Sequence, residues 1–403
     1  MDSNARELLD LVFRWIHVIA GIMWVGNSML FNWLDRNLVL PSGAKKEGLI
    51  GEIWMVHSGG FYQVEKKQLA PAQMPAVLHW FKWQSYTTWV TGICLLGIVY
   101  YMGGATYLVD SEVSSIRVGT AMAIGAGVIV GSFVTYDLLW RSPLAKHSYL
   151  AVPVSLALAA GVVYALTHLL SGRAAFIHVG AMLGTLMAGN VFFHIIPSQR
   201  ELVALTKAGK AQDATLSSHA KQRSIHNNYM TFPLLFTMVS NHFSGIYGSK
   251  VNWVILGVLF VAGATVRHFM NIRFTYTKWI YAIAATVTAT FVALFFLVLR
   301  PASASAGATS VMPQGEHVSF TTVRLILNQR CVPCHSKAPT DPAWKMAPNN
   351  VMFDTNENVK KYAERIKARA VISKTMPLGN KTAMTEDERE VLGLWLLQGA
   401  SVE

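Results

Sequence analysis

The sequence predicts an all-α protein: a polytopic bundle of eight transmembrane helices followed by a small soluble helical domain. Three observations carry this prediction. Of 403 residues, 52% are hydrophobic and only 14% are charged. The apolar residues gather into runs at 8–34, 76–103, 115–139, 148–170, 174–197, 226–247, 251–271 and 275–299, each long enough to cross a hydrocarbon layer of about 30 Å. Beyond Arg300 the text becomes "PASASAGATSVMPQGEH", a Pro/Ala/Ser/Gly linker over 301–317, and residues 318–403 read as soluble. The domains expected are therefore 1–300 and 318–403.

The formal charge of +12 would suit nucleic acid if it formed a stripe on a soluble face. It does not: the basic residues are scattered through short loops, so topology explains them better and no nucleic-acid partner is expected. Connections after odd-numbered helices hold Arg36, Lys66, Lys67, Arg141, Lys146, Arg200, Lys221 and Arg273, whereas those after even-numbered helices hold little beyond Arg173 and Lys250. Basic loops stay in the cytoplasm, which places both termini and the soluble tail in the periplasm of a bacterial inner membrane. The start, "MDSNARELLD", lacks the basic n-region and small-residue cleavage site of a removable signal, so helix 1 is read as retained. Two long cytoplasmic connections, 35–75 and 198–225, interrupt otherwise tight turns. The second, "TKAGKAQDATLSSHAKQRS" from residue 206, reads as polar helix or linker.

"CVPCH" at 331–335 is the most specific motif. Two thiols at this spacing, Cys331 and Cys334, add covalently to haem vinyl groups, and the adjacent His335 is placed to ligate iron. Met376, 41 residues later in "MPLGN", is the expected second axial ligand, with Met384 and Met346 as competitors. "TEDEREVLGLWLLQGA" opens with an N-cap threonine and a glutamate three residues on, then turns amphipathic. These are the parts of a class I-like cytochrome c carrying one covalent haem c. A zinc site would need two further ligands nearby, and the tail offers only His317, in the linker. Cys94, in an apolar run, is most simply a small buried hydrophobe.

Inside the apolar region the costly residues are ionisable ones: His17, His79, His168, His178, His194, His226, His242 and His268, joined by Arg14, Lys82, Asp137 and Arg267. Several blocks around them, "RWIHVIAGIMWVGNSMLFNWLD", "HSGGFYQVEK", "LHWFKWQSYTTWVTG", "HVGAMLGTLMAGNVFFHIIPSQR" and "AKQRSIHNNYMTFPLLFTMVSNH", closely resemble the bacterial membrane-bound urate oxidases, or urate hydroxylases. The resemblance covers essentially the whole chain. It implies an eight-helix unit joined to a C-terminal cytochrome c, and oxidation of urate to 5-hydroxyisourate with water as oxygen donor. Electrons would pass to the cytochrome rather than to dioxygen, so no hydrogen peroxide forms, and then to a periplasmic cytochrome c or a terminal oxidase. "RWIHVIAGIMWVGN" also resembles, more weakly, the first helix of small membrane proteins that hold haem b or copper.

The predicted topology sorts the histidines into a periplasmic layer (His168, His178, His242, with His17 nearer the midplane) and a cytoplasmic one (His79, His194, His226, His268). His178 and His194 are sixteen residues apart, as are His226 and His242. At about 100° per residue this leaves a net rotation of about 160°, so one straight helix pair is not expected to present both layers inward. A bis-histidine haem b drawing on His17, His178 or His242 is a candidate cofactor; histidines bonded to neighbouring carbonyls are the plainer reading of each. Urate, a planar anion, needs cationic donors, amides and aromatic faces. Asn227, Asn228 and Tyr229 are placed at the start of helix 6, where free N–H groups favour anions, with Arg223, His79 and Gln84 as further substrate contacts. His226 or His57 is the candidate general base and Lys82 the candidate catalytic cation, against the plainer readings that Lys82 snorkels between tryptophans and the asparagines cap a helix. A non-catalytic membrane cytochrome serving a quinol or a separate dehydrogenase is the alternative, as is a copper-handling protein, because no flavin, molybdenum or nucleotide signature is present.

Overall fold

The computed structural model describes residues 3–40, 47–102, 105–211, 213–298 and 318–402; the predicted linker 301–317 lies outside them. In chain order the elements are α1 (Ser3–Asn37), β1 (Leu49–His57), β2 (Gly60–Lys67), α2 (Trp83–Leu96), α3 (Val118–Arg141), α4 (Ser148–Leu169), α5 (Gly172–Gly189), α6 (Ile196–Lys207), α7 (Ala214–Val239), α8 (Ser244–Tyr247), α9 (Asn252–Ile272), α10 (Trp279–Val298), α11 (Phe320–Arg330), α12 (Asn356–Lys361), α13 (Ala363–Ile366) and α14 (Glu386–Leu397). α5 and α6 are one continuous rod joined through a π turn at Asn190–Ile195.

Among the described residues, six helices are long and apolar enough to cross a membrane: Ala5–Asn37, Val118–Arg141, Ser148–Leu169, Gly172–Lys207, Asn252–Ile272 and Trp279–Val298. Two of the eight expected spans are not among these six. The segments expected at 76–103 and 226–247 are helical too, but α2 begins only at Trp83 with a Trp/Thr/Tyr-rich turn, and the first half of α7 is polar. The all-α expectation is corrected. Within the 35–75 connection β1 and β2 pair antiparallel, from Leu49 opposite Lys67 to His57 opposite Gly60. Ser58 and Gly59, both at positive φ, make the two-residue turn that matches strand twist.

The α5–α6 rod is the centre of the bundle, with α2, α3, α4 and α7 packed around α5, α1 outside α2, and α10 outside α9. Its small residues allow this. A Cβ on Gly180 would lie 2.3 Å from Thr237 Oγ1, and one on Gly189 2.2 Å from the Phe133 ring, so only glycine lets α7 and α3 approach the rod this closely. Phe176, His178 and Val179 are fully buried there.

The π turn overturns the expectation that His178 and His194 face different ways. One extra residue taken up in that turn rotates everything beyond it by about 100°, reducing the offset from about 160° to about 60°. Both side chains are accordingly buried, at 0% and 4% exposure.

Residues 318–402 pack around their own apolar cluster, which includes Val323, Leu327, Phe353, Leu392 and Trp395. The predicted capping box is formed: Glu388 N donates to Thr385 Oγ1 at 3.2 Å and Thr385 N to Glu388 Oε2 at 2.8 Å. This unit lies against the connection between α2 and α3, and a cleft of about 1270 Å³ between them is bordered by Arg6 as well. Arg6, near the start of α1, and the C-terminal unit thus lie at the same end of the bundle.

Gly125 tests this packing. A Cβ there would sit 2.6 Å from His178 Nε2 and 2.7 Å from the Tyr101 hydroxyl, whereas one on Gly127 would meet nothing within 4 Å. Gly125→Ala should destabilise the detergent-solubilised protein by about 1–3 kcal/mol in thermal unfolding, and Gly127→Ala should leave the midpoint unchanged or raise it.

Candidate functional site

The polar interior divides into two layers, both organised by α5 and its π turn. In the layer nearer the C-terminal unit, His178 Nδ1 lies 2.8 Å from the Ala174 carbonyl, which only accepts, so this nitrogen carries the proton. Nε2 then accepts from the Tyr101 hydroxyl at 2.9 Å. His17 Nδ1 likewise donates to the Thr88 carbonyl at 2.9 Å, with Thr91 Oγ1 at 3.1 Å. Hydrogen bonds to carbonyls thus offset the cost of placing these imidazoles among apolar helices. His242 is exposed at the end of α7. Both nitrogens of His178 are thus engaged within the bundle, whereas His17 is held through Nδ1.

The other layer joins α3, the π turn and α7. Asp137 is its hub. His194 Nε2 lies 2.5 Å from Asp137 Oδ1, Arg223 Nη2 donates to the same oxygen at 3.2 Å, and Arg141 Nε meets Oδ2 at 2.8 Å. Arg223 has no exposed surface, stands over the Tyr136 ring at 5.0 Å, and keeps Nε and Nη1 without any acceptor. Alongside, Asn190 Nδ2 donates to the Tyr136 hydroxyl at 3.0 Å and to Asn227 Oδ1 at 2.9 Å, while its own Oδ1 is buried and unpartnered. The Tyr136 hydroxyl proton is left for His226 Nδ1, 2.7 Å away, and Trp140 packs on that imidazole at 4.1 Å between ring centroids. Arg223 Nε and Nη1 and Asn190 Oδ1 are thus buried polar atoms of one layer that no described group satisfies.

Helix periodicity gathers these groups. His219, Arg223, His226 and Asn227 stand at i, i+4, i+7 and i+8 on α7, one face of a helix that starts at Ala214. The expectation that "HNNY" opens a helix is therefore corrected: Asn227 and Asn228 lie mid-helix, offer no free backbone N–H, and cap nothing. Asn227 Nδ2 instead donates to the Met187 carbonyl at 3.0 Å, and Asn228 Oδ1 accepts from Arg267 Nε at 3.0 Å and Asn271 Nδ2 at 2.7 Å. Tyr229 pairs with His268 Nδ1 at 2.8 Å.

Of the residues singled out from sequence, Arg223, His226 and Asn227 come together. Asn228 and Tyr229 face α9. His57 is exposed at the hairpin tip and His79 is exposed before α2; Lys82 lies over the Trp83 ring at 5.7 Å, and Gln84 Oε1 is buried without a partner. None of these four is hydrogen-bonded to the Asp137 hub. Tyr136 and Asn190 were missed, and Asp137 and His194 were noted only as intramembrane ionisable groups. The available signal was the 3.6-residue spacing from His219 onward, hidden by reading 206–225 as a connection.

In the C-terminal unit the turn after α11 folds "CVPCH" back on itself, with His335 N donating to Cys331 O at 2.9 Å. His335 Nδ1 donates to the Val351 carbonyl at 2.9 Å, which fixes the tautomer and leaves Nε2 as a free lone pair. Burial holds its imidazole below the usual histidine range, so that lone pair is available at neutral pH. Burial also pushes the Cys331 thiol up to about 12 and the Cys334 thiol up to about 11. Among the described residues no group of three or more His, Cys, Asp or Glu is arranged for a metal ion. Met376 is half-buried, Met384 sits in the apolar cluster, and Met346 is exposed.

Residues 3–298 match the family described as urate oxidase N-terminal. No curated protein matches, and no solved structure does.

Asp137→Asn removes the nearest counter-charge of a fully buried guanidinium and should cost about 3–5 kcal/mol, read as a large fall in thermal midpoint. Arg141→Ala, at a partner 57% exposed, should cost no more than about 1 kcal/mol.

Proposed function

Because the chain belongs to the urate oxidase N-terminal family, we propose that it is a membrane-bound enzyme that oxidises urate to 5-hydroxyisourate on the Arg223–Asp137–His226 layer. In this reading the helical unit crosses a bacterial inner membrane eight times, α2 and α7 completing the six apolar spans, and residues 318–403 form a periplasmic cytochrome c. The observation that carries the site is Arg223: a cation with no exposed surface and two N–H groups without acceptors.

The chemistry balances as urate plus water giving 5-hydroxyisourate, two protons and two electrons. Arg223 Nε and Nη1 donate to urate oxygens, and Asp137 holds the guanidinium in place through Nη2. The side-chain amide oxygen of Asn190 accepts from a urate N–H. As water adds to the oxidised purine, its proton passes to the Tyr136 hydroxyl while that hydroxyl's own proton goes to His226 Nδ1, 2.7 Å away. Trp140 on the imidazole face keeps the ring from rotating out of that line. Asp137, His194 and His219, which leads toward the helix start, provide an exit for the second proton.

Cys331, Cys334, His335 and Met376 would hold the haem c, which when bound takes up electrons one at a time and passes them to a periplasmic cytochrome c or a terminal oxidase. Methionine ligation raises its potential relative to two histidines, suiting an acceptor. With this route, dioxygen is not needed and hydrogen peroxide does not form.

Urate added to the anaerobic purified protein should reduce the haem c, with no peroxide detected when air is admitted. Reduction by quinol but not by urate would mean a non-catalytic electron carrier instead. Arg223→Lys should lower kcat/KM for urate by about 10- to 100-fold, the worth of a lost charge-assisted hydrogen bond of about 1.5–3 kcal/mol, with haem content unchanged.

A further inference from the structure

The C-terminal unit meets the bundle through the segment that carries Met376. The side chain of Arg389, on α14, is 3% exposed, yet its guanidinium is divided between the two units. Nη1 donates to the carbonyls of Ala370, at 2.5 Å, and Met376, at 2.7 Å, while Nη2 pairs with the carboxylate of Glu112 in the connection between α2 and α3. The next carboxylate, that of Glu386, is 4.0 Å from Nε, and Nε itself has no hydrogen bond. Glu112 is thus the principal counter-charge of a buried cation that belongs to the other unit.

The same segment is fitted to the bundle on both sides. Gly379, at φ +57°, would place a Cβ 2.7 Å from the Val109 carbonyl, and Gly248, after α8, would place one 2.7 Å from the Ser373 carbonyl. Trp344 packs edge-on to Tyr107 with centroids 6.4 Å apart. Residues 373–379 are held between two loops of the bundle, with Arg389 behind them.

We propose that Glu112 is a positioning residue for the axial methionine: by holding Arg389 it fixes the carbonyl of Met376, so that the bundle sets the ligand loop of the docked C-terminal unit. This rests on the reading of that unit as a cytochrome c with Met376 as ligand. The physical basis is that a buried guanidinium deprived of its carboxylate must turn toward another charge or toward water. The groups it then releases are the carbonyls on either side of the ligand segment. Docking and ligand geometry are therefore coupled, and a C-terminal unit lifted from the bundle holds its methionine less firmly than a docked one.

The test is Glu112→Gln in the full chain, read by the red charge-transfer band of methionine-ligated ferric haem c and by the midpoint potential in redox titration. Haem content from a pyridine haemochrome assay and elution as an intact species in detergent are the controls. The expected result is a weakened band and a lowered midpoint at full haem content, with both restored in part by Glu112→Asp. Gly379→Ala, which pushes the segment off Val109, should move both readouts the same way. An unchanged band and midpoint in Glu112→Gln overturn the proposal while leaving the cytochrome reading intact. Loss of the band in Met384→Leu but not in Met376→Leu also overturns it, and an absence of covalent haem from the unaltered protein overturns the cytochrome reading and the proposal together.

Discussion

A guanidinium sealed inside a bundle of apolar helices has to be neutralised by something the bundle supplies, and Arg223 is neutralised by Asp137. Neither could be buried without the other, because an uncompensated charge in such surroundings costs several kcal/mol. The pair therefore fixes the rotation and depth of α3 against α7, and His194, on the same carboxylate, adds the central rod to the arrangement. One carboxylate thus sets the relative register of three helices. It does so without using all the donors of the arginine: Nε and Nη1 are left without partners.

The π turn at Asn190–Ile195 is what lets one rod serve two polar layers. A regular α-helix through this region would set His178 and His194 about 160° apart. Taking up one more residue in the turn brings both inward, and Asn190, at its start, reaches Tyr136 on α3 and Asn227 on α7. π turns recur at functional positions because they buy an orientation that regular geometry forbids. Here the gain is visible: the Asn190 amide joins Tyr136 to Asn227.

At the opposite end, the same logic of shared charge connects the two units. Arg389 and Glu112 belong to different parts of the chain, as Arg223 and Asp137 belong to different helices. In both places a buried cation takes its counter-charge from a neighbouring element, so the geometry of one element depends on the presence of the next. The aromatic pair Tyr107 and Trp344 and the glycines at 248 and 379 supply further close contact between the two units.

What the sequence determined by itself is everything local. Apolar runs such as 148–170 and 251–271 announce helices long and apolar enough to cross a membrane because hydrophobicity and length are one-dimensional properties; "TEDER" is readable because helix capping uses residues close in the chain. The start of α7 was legible only as polar helix or linker, since "ATLSSHAKQRS" has no apolar stripe to decide between them until it is seen packed along α6. The hairpin at 49–67 was not, because its alternation is masked by the charged residues Glu52, Glu65 and Lys66. Nor was the pairing of Asp137 with His194 and Arg223, separated by 57 and 86 residues. Only the tertiary structure decided which ionisable groups meet, because in a bundle the partner of a buried charge is chosen by helix rotation and depth, and a single π turn shifts that rotation by more than any periodicity in the sequence reveals.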